Sequence, residues 1–215
     1  MRIAVFGATG MVGGAVVEEI LSRGDEVHAV SRSIDARTAR DRLTVGAVDV
    51  DDAAGVTSVL AGVDAAVLTV RLPAGQESRL APITARFLDA AAETGVRVLV
   101  LGGAGALRSP TDAGRLLVDD PMYIPEQWRT IALAGVEQLR ACQAHSFADW
   151  VYLSPPAELH PGDRVGGYRR GGSTLLVDDE GRSAVSAADL AIAVVDELER
   201  PGADTHFTVI AADEL

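Results

Sequence analysis

The chain has 215 residues, of which 48% are hydrophobic and 23% charged, as is usual for a globular protein. Its formal net charge of −12 argues against nucleic acid or an anionic membrane surface as a partner, because both require a basic protein surface. All 19 basic residues are arginine, so a mechanism that needs a catalytic lysine is excluded.

Short apolar runs alternate with helical patterns along the first 154 residues. Arg2–Phe6 predicts a buried strand, and Met11–Ser22 has the apolar spacing of a helix. Further strands are predicted over 26–30, 43–48, 64–70, 96–101 and 150–154, and further helices over 53–60, 76–94 and 126–145. Strands that alternate with helices of this length predict an α/β fold with a mostly parallel, doubly wound sheet.

The pattern changes in the last third of the chain. A loop rich in Gly and Arg (PGDRVGGYRRGG) precedes a predicted strand at 174–177, a helix over 186–200 and a final strand over 206–210. Ser186 and Asp189 have the spacing of a capping box at the start of that helix. Without a linker or repeat, we expect one domain over 1–215, with 155–215 forming a small C-terminal extension on the substrate side. The loop arginines Arg164, Arg169 and Arg170 either hold an anionic group or pair with acidic neighbours.

No membrane span is expected, because the sequence has no run of 18 apolar residues, and no signal peptide is expected, because the N-terminus leads straight into a strand pattern. The single cysteine, Cys142, cannot form an internal disulfide, which favours a reduced, cytoplasmic setting with Cys142 as a small buried side chain. The four histidines lack metal-ligand spacing, so no metal site is expected. Nothing in the sequence specifies an oligomeric state.

Gly7, Gly10 and Gly13 form a G-x-x-G-x-x-G motif between the first strand and the first helix. The first glycine permits a tight turn, the second lets backbone N–H groups approach a pyrophosphate, and the third allows close packing of helix and strand. The position of the motif between a strand and a helix makes it a strong prediction of dinucleotide binding. The hydroxyl of Thr9 supports the turn or contacts a phosphate.

The residues after the second strand favour NADPH over NADH. Ser31 stands where NAD-binding proteins usually have an acidic residue, and Arg32 follows it. An arginine can pair with a 2′-phosphate, which a carboxylate would repel, although Asp35 lies close enough to weaken this preference. Ligands of open α/β sheets bind at the carboxyl ends of strands, so the later loops are the expected walls of the site. These wall residues are Asp49 and Val50, Thr69, Val70 and Arg71, and Gly102, Gly103 and Ala104.

The segments GATGMVG, VLVLGGAGAL, YLSPPAELHPGDRVGGYR and SAADLAIAVVDELERPGADTHFTV resemble the atypical short-chain dehydrogenase/reductase superfamily. Within it the chain is similar to the NAD(P)H-flavin reductase group, relatives of biliverdin IXβ reductase and of NmrA-like proteins. The resemblance implies a Rossmann fold, a bound NAD(P) and a flavin (FMN or FAD), or a similarly flat acceptor, as substrate. It places Gly7, Thr9, Gly10, Met11, Val12 and Gly13 at the pyrophosphate, Arg32 at the 2′-phosphate, and the loops Gly102–Ala104 and Ser154, Pro155 and Pro156 beside the nicotinamide.

The chain departs from the wider superfamily in its proton-transfer residues. Catalytic members usually carry a Tyr-x-x-x-Lys pair with a serine, but this chain has no lysine, and Gly103 lies roughly where the serine would be. Its tyrosines are Tyr123, Tyr152 and Tyr168. A flavin tolerates this loss better than a ketone does, because its ring spreads the incoming charge and can take a proton from water.

The sequence thus favours an NADPH-dependent reductase of a flavin or similar flat molecule. Tyr123 and Trp128, in a segment marked by prolines, either cover the substrate by stacking or anchor the loop on the core. Two other functions stay open: a non-catalytic NAD(P)-sensing regulator of the NmrA kind, and a reductase or isomerase of a small metabolite.

Overall fold

The computed structural model describes residues 1–212, which form ten strands and five α-helices. The strands are β1 (Arg2–Phe6), β2 (Glu26–Ser31), β3 (Leu43–Ala47), β4 (Ala65–Leu68), β5 (Arg97–Leu101), β6 (Trp150–Ser154), β7 (Glu158–His160), β8 (Tyr168–Gly171), β9 (Ala184–Ser186) and β10 (His206–Ala211). Eight of them form one sheet in the order β3-β2-β1-β4-β5-β6-β10-β8. Every neighbouring pair is parallel except β8 and β10. The predicted Rossmann-like, mostly parallel sheet is therefore confirmed.

Helices cover both faces of this sheet. They are α1 (Met11–Ser22), α2 (Ala53–Leu60), α3 (Leu80–Thr94), α4 (Arg129–Ala144) and α5 (Ala187–Glu199). Side chains alternate between the faces of a strand, so in β1 Ile3 and Val5 pack towards α1 and α5, whereas Ala4 and Phe6 pack towards α2, α3 and α4. Within residues 1–212, no helix combines the length and the apolar character needed to cross a membrane.

Local sequence signals account for several helix ends. The Ser186 hydroxyl accepts a hydrogen bond from Asp189 N at 3.0 Å, so the predicted N-terminal cap of α5 is confirmed. Gly95, in the left-handed conformation at φ 70°, ends α3. The helices predicted over 76–94 and 126–145 begin as 3-10 turns at Glu77–Arg79 and Glu126–Trp128, and their α-helical parts start only at Leu80 and Arg129.

The predicted strand at 174–177 is wrong. Leu175 is buried with Leu107 and Leu117, and its N–H donates to Arg108 O at 3.0 Å, so this apolar run packs beneath a loop and not in the sheet. The strand at this edge is β8, which lies inside the segment predicted as a loop and pairs with β10. The short strands β7 and β9, which form a separate parallel pair, were also not predicted.

Candidate functional site

A cleft of about 790 Å³ follows the carboxyl ends of the parallel strands, where an open α/β sheet binds its ligands. The structure brings together nearly all of the residues that the sequence nominates. Of the predicted site residues, only Gly13 and Ser154 do not line the cleft. The others, which do, are Gly7, Thr9, Gly10, Met11, Val12, Arg32, Asp49, Val50, Thr69, Val70, Arg71, Gly102, Gly103, Ala104, Tyr123, Trp128, Pro155 and Pro156.

The glycine loop is built by contacts that exclude side chains. Gly7 has φ 90°, and a Cβ there would overlap the backbone carbonyl of Thr69 at the end of β4. A Cβ on Gly13 would overlap the Gly7 carbonyl, whose carbon would lie only 2.7 Å away. Gly13 lies outside the cleft because it packs α1 against the loop. This is the packing role predicted for the third glycine of the motif.

The first turn of α1 presents backbone N–H groups to the cleft. Gly10 caps this helix and no side chain within residues 1–212 bonds to its first amides, whereas Asp52 caps α2 and Ser186 caps α5 in this way. Free N–H groups and the positive end of the helix dipole make such a terminus suited to a phosphate. The bare loop and the uncapped helix thus fit the pyrophosphate of a dinucleotide.

Arg32 lies at one end of the cleft and is exposed. It forms no hydrogen bond or ion pair with any residue in the described range 1–212, so its guanidinium is available to a ligand. The preceding Ser31 contacts Thr9, with their hydroxyl oxygens 2.9 Å apart. Asp35, the neighbouring acid, accepts from Arg37 N in a 3-10 turn and does not line the cleft.

The other end of the cleft is formed by the loop after β5. The Ser154 hydroxyl donates to Gly103 O at 3.0 Å, and His206 Nε2 lies 3.0 Å from the same hydroxyl. Because Ser154 donates its only hydroxyl proton to the Gly103 carbonyl, it can only accept from His206. The neutral imidazole must therefore carry its proton on Nε2. Burial lowers the pKa of His206 to about 4, which keeps the ring neutral near pH 7. Ser154 therefore shapes this wall from behind.

Tyr152 is not available as a proton donor to a ligand. Its side chain is fully buried, and its hydroxyl donates towards Gly135 O at 2.9 Å, with Gln138 Oε1 at 3.2 Å. Burial raises the pKa of Tyr152, and the nearby backbone N–H of Gly103 only partly opposes this effect. The Tyr168 hydroxyl instead donates to Asp196 at 2.8 Å. Of the three tyrosines, only Tyr123 borders the cleft.

An apolar and aromatic wall borders the cleft beside the Gly102–Ala104 loop. Trp128, which is 50% exposed, and Tyr123, which also packs against the cluster of Leu107, Leu117 and Leu175, belong to it. The sequence did not indicate the other members, which are Ile124, Pro125 and Ile131, nor Leu159, which lines the cleft but packs against the α1 and α5 side of the sheet. The proline-marked run that contains Tyr123 could have indicated Ile124 and Pro125, but Leu159 lies in β7, whose formation depends on pairing with β9.

The sequence also did not indicate an ion-pair cluster at the edge of the cleft. Asp51, after β3, forms ion pairs with both Arg79 and Arg86, at the start of and within α3. Asp51 and Arg79 both line the cleft, so this cluster connects the loop after β3 to the start of α3 near Asp49 and Val50.

Other candidates from the sequence lie outside the cleft. Arg164 pairs with Glu19 at 2.8 Å, and Arg170 pairs with the fully buried carboxylate of Glu197 at 2.7 Å, so these two loop arginines have acidic neighbours. Arg169 instead donates to the backbone carbonyl of Val177 at 2.9 Å. Burial raises the pKa of Cys142 to about 12, which makes its thiol unreactive. No cluster of three metal-ligating side chains is found within residues 1–212.

Comparisons with known proteins agree with this geometry. A family model described as NAD(P)H-binding matches residues 7–201. The uncharacterized protein YwnB of Bacillus subtilis is 33% identical over 219 residues, and the match covers 100% of both chains. A solved structure from Streptococcus pneumoniae, of a protein named as a candidate NADH-flavin reductase, has a TM-score of 0.88 and 28% identity over 99% of this chain and 100% of that one.

A further relative is a named reductase. The 3-diazoavenalumate denitrifying reductase of a Streptomyces species is 28% identical over 191 residues, covering 82% of this chain and 61% of the reductase. Together these similarities confirm the resemblance that the sequence motifs carry.

Proposed function

The chain belongs to the NAD(P)H-binding family, and we propose that it is an NADPH-dependent reductase that transfers hydride to a flavin or a similarly flat electron acceptor. One observation carries this proposal. One cleft joins the glycine loop, which would bind phosphate, and Arg32, which has no partner within residues 1–212, at one end to an aromatic, apolar wall at the other. A dinucleotide that extends along this cleft would place its nicotinamide beside a surface suited to a planar ring.

We propose that each part of the cleft holds one part of the coenzyme. The first turn of α1 and the loop Gly7–Gly10 would bind the pyrophosphate, and Arg32 would pair with the 2′-phosphate. Asp49 and Val50 would border the adenine, and Thr69, Val70 and Arg71 would line the middle of the cleft. When bound, NADPH supplies the hydride for the reduction. Gly102–Ala104 together with Pro155 and Pro156 would orient the nicotinamide.

The protein would promote the reaction by aligning the acceptor with the nicotinamide, without a catalytic acid. Tyr123 and Trp128, which border the cleft, would stack on a flat ring, and residues from 155 onward contribute Leu159 to the lining of the cleft. The buried Tyr152 and the absence of lysine remove the usual proton relay. An acceptor such as a flavin, which takes its proton from water, is compatible with that loss.

The alternative is the non-catalytic sensor, which two exposed apolar side chains favour. Trp128, at the cleft, is 50% exposed, and Met122, which does not line the cleft, is 76% exposed. Such side chains can serve a protein partner as well as a substrate. The cleft beside Gly103 is open, however, as an enzyme requires. The remaining alternative, a reductase or isomerase of a small metabolite, would need an acid, and Tyr123 is the tyrosine that borders the cleft.

The deciding experiment is the rate of NADPH oxidation by the purified protein with added FMN, repeated with NADH. We expect turnover well above the protein-free rate, and faster turnover with NADPH. Tight NADPH binding without turnover of FMN would contradict the reductase and favour the sensor. Turnover of small carbonyl compounds in place of FMN would favour the small-metabolite enzyme.

A further inference from the structure

The loop after β5 contains Gly102, Gly103 and Gly105, and packing requires glycine at only two of these positions. A Cβ on Gly102 would overlap the buried hydroxyl of Tyr152, which is fixed by its bond to Gly135 O. A Cβ on Gly105 would lie 2.7 Å from Ala132 O and 2.8 Å from the Ala132 side chain. Packing against β6 and α4 therefore requires glycine at both positions.

Gly103, between them, has no such requirement. Its backbone is extended, at φ −120° and ψ 160°, which any residue adopts. A Cβ there would meet no heavy atom within 4 Å apart from its chain neighbours. Glycine loses more conformational entropy on folding than alanine does, so glycine at this position does not stabilise the fold.

The open space beside Gly103 belongs to the cleft. One side of Gly103 is occupied, since a Cβ on Gly135 would come within 3.3 Å of Gly103 N and 3.4 Å of its Cα. Its carbonyl is held by the Ser154 hydroxyl, which in turn contacts His206. Gly103 itself lines the cleft next to the apolar wall of Tyr123, Ile124 and Trp128. The residue thus presents a bare and fixed stretch of backbone to a ligand.

We propose that Gly103 is a specificity-determining residue whose missing side chain admits a wide, multi-ring planar acceptor to the nicotinamide end of the cleft. This inference rests on the proposed reductase function and narrows its substrate class. A side chain at residue 103 would project into the space that such a ring needs, while a single-ring acceptor would still fit. The fixed peptide matters because a mobile loop could move away and relieve the clash.

The test compares Gly103→Ala and Gly103→Val with the same substitutions at Gly172. Gly172 also has no heavy atom within 4 Å of a Cβ position and no positive φ, but it lies outside the cleft. Each protein is assayed for NADPH oxidation with FMN and with 1,4-benzoquinone, and for its Kd for NADPH. The melting temperature shows whether each variant folds.

We expect Gly103→Val to lower kcat/KM for FMN about 10-fold or more, and Gly103→Ala by less. The loss with FMN should exceed both the loss with benzoquinone and any rise in the Kd for NADPH by about fivefold or more, because a disturbance of the nicotinamide would affect both acceptors alike. The melting temperature should not fall. The Gly172 variants should match the wild type in every assay.

Four results would overturn the inference. Equal losses with FMN and benzoquinone, or unchanged kinetics with both, would show that residue 103 does not select acceptors by width. A parallel rise in the Kd for NADPH would assign the open space to the coenzyme. A wild-type protein that reduces neither acceptor contradicts the proposed function itself, and the inference fails with it, whereas an active wild type with indifferent variants contradicts the inference alone.

Discussion

His206 Nε2 lies 3.0 Å from Ser154 Oγ, although the two residues are 52 positions apart in the sequence. The parallel pairing of β6 with β10 brings them together. The Ser154 hydroxyl in turn donates a hydrogen bond to the carbonyl of Gly103. The imidazole ring also packs edge-on against Tyr152, with 5.5 Å between the ring centroids. A partly buried, neutral histidine therefore supports the wall of the cleft, and this position makes stability depend on pH.

We expect the wild-type protein to lose stability as the pH falls from about 6.5 to about 4. Burial lowers the pKa of His206 from 6.5 in the unfolded chain to about 4 in the folded one. Over that window the unfolded state binds a proton that the folded state does not, so acid favours unfolding. In His206→Gln the amide can still donate to Ser154, but it does not titrate.

Urea unfolding at pH 7 and pH 4.5 measures this dependence. The wild type should lose on the order of 2 kcal/mol more free energy of unfolding than His206→Gln between the two pH values. Subtracting the pH dependence of one protein from that of the other removes the contribution of other titrating groups. One of these is His28, because burial also lowers its pKa. Identical pH dependences would show that His206 is accessible to protons in the folded state.

Arg32 should control the choice between coenzymes. We expect Arg32→Glu to weaken NADPH binding about 10- to 100-fold, because a charge-assisted pair with the 2′-phosphate is replaced by repulsion. NADH has no such phosphate, so its Kd should change little or improve. Titration of protein fluorescence with each coenzyme gives both constants. Arg37→Glu, an exposed neighbour outside the cleft, is the matched control. Equal weakening of both coenzymes would place Arg32 away from the 2′-phosphate.

Trp128 should affect the acceptor and not the coenzyme. Its half-exposed ring belongs to the cleft wall next to Gly103, and aromatic stacking contributes about 0.5–1.5 kcal/mol. Trp128→Ala should therefore raise KM for FMN about 3- to 10-fold, while the Kd for NADPH stays unchanged. Leu133→Ala, which removes another exposed apolar side chain but outside the cleft, should leave both values as they are. An unchanged KM for FMN in Trp128→Ala would show that the ring only anchors its loop.

Two adjacent glycines of α1 should respond in opposite directions to alanine. A Cβ at Gly13 would overlap the backbone carbonyl of Gly7, so Gly13→Ala should destabilise the fold by about 2 kcal/mol or more. The nearest atom to a Cβ at Gly14 is Ala8 O at 3.7 Å, an ordinary contact. Gly14→Ala should therefore stabilise the helix by about 0.5–1 kcal/mol. Urea unfolding of both variants decides this, and a neutral Gly13→Ala would mean that the loop can move away from α1.

The sequence by itself determined the features that depend on neighbours along the chain. Arg2–Phe6, Met11–Ser22, Ala53–Leu60 and Trp150–Ser154 have the predicted bounds because apolar periodicity and the flanking glycines, prolines and caps are local signals. The glycine loop and Arg32 could be assigned to the cleft for the same reason, since each follows directly on a strand whose carboxyl end faces it.

Only the tertiary structure decided which distant residues meet. The run at 174–177 has the composition of a strand, but burial against Leu107 and Leu117 outweighs that preference, and β8 takes the place beside β10. Gly102, Gly103 and Gly105 look alike in the sequence, yet Tyr152 and Ala132 require two of them while the third faces open space. The support of Gly103 by Ser154 and His206 depends on the register between β6 and β10. Contacts across strands are fixed by packing of the whole sheet, which no local pattern encodes.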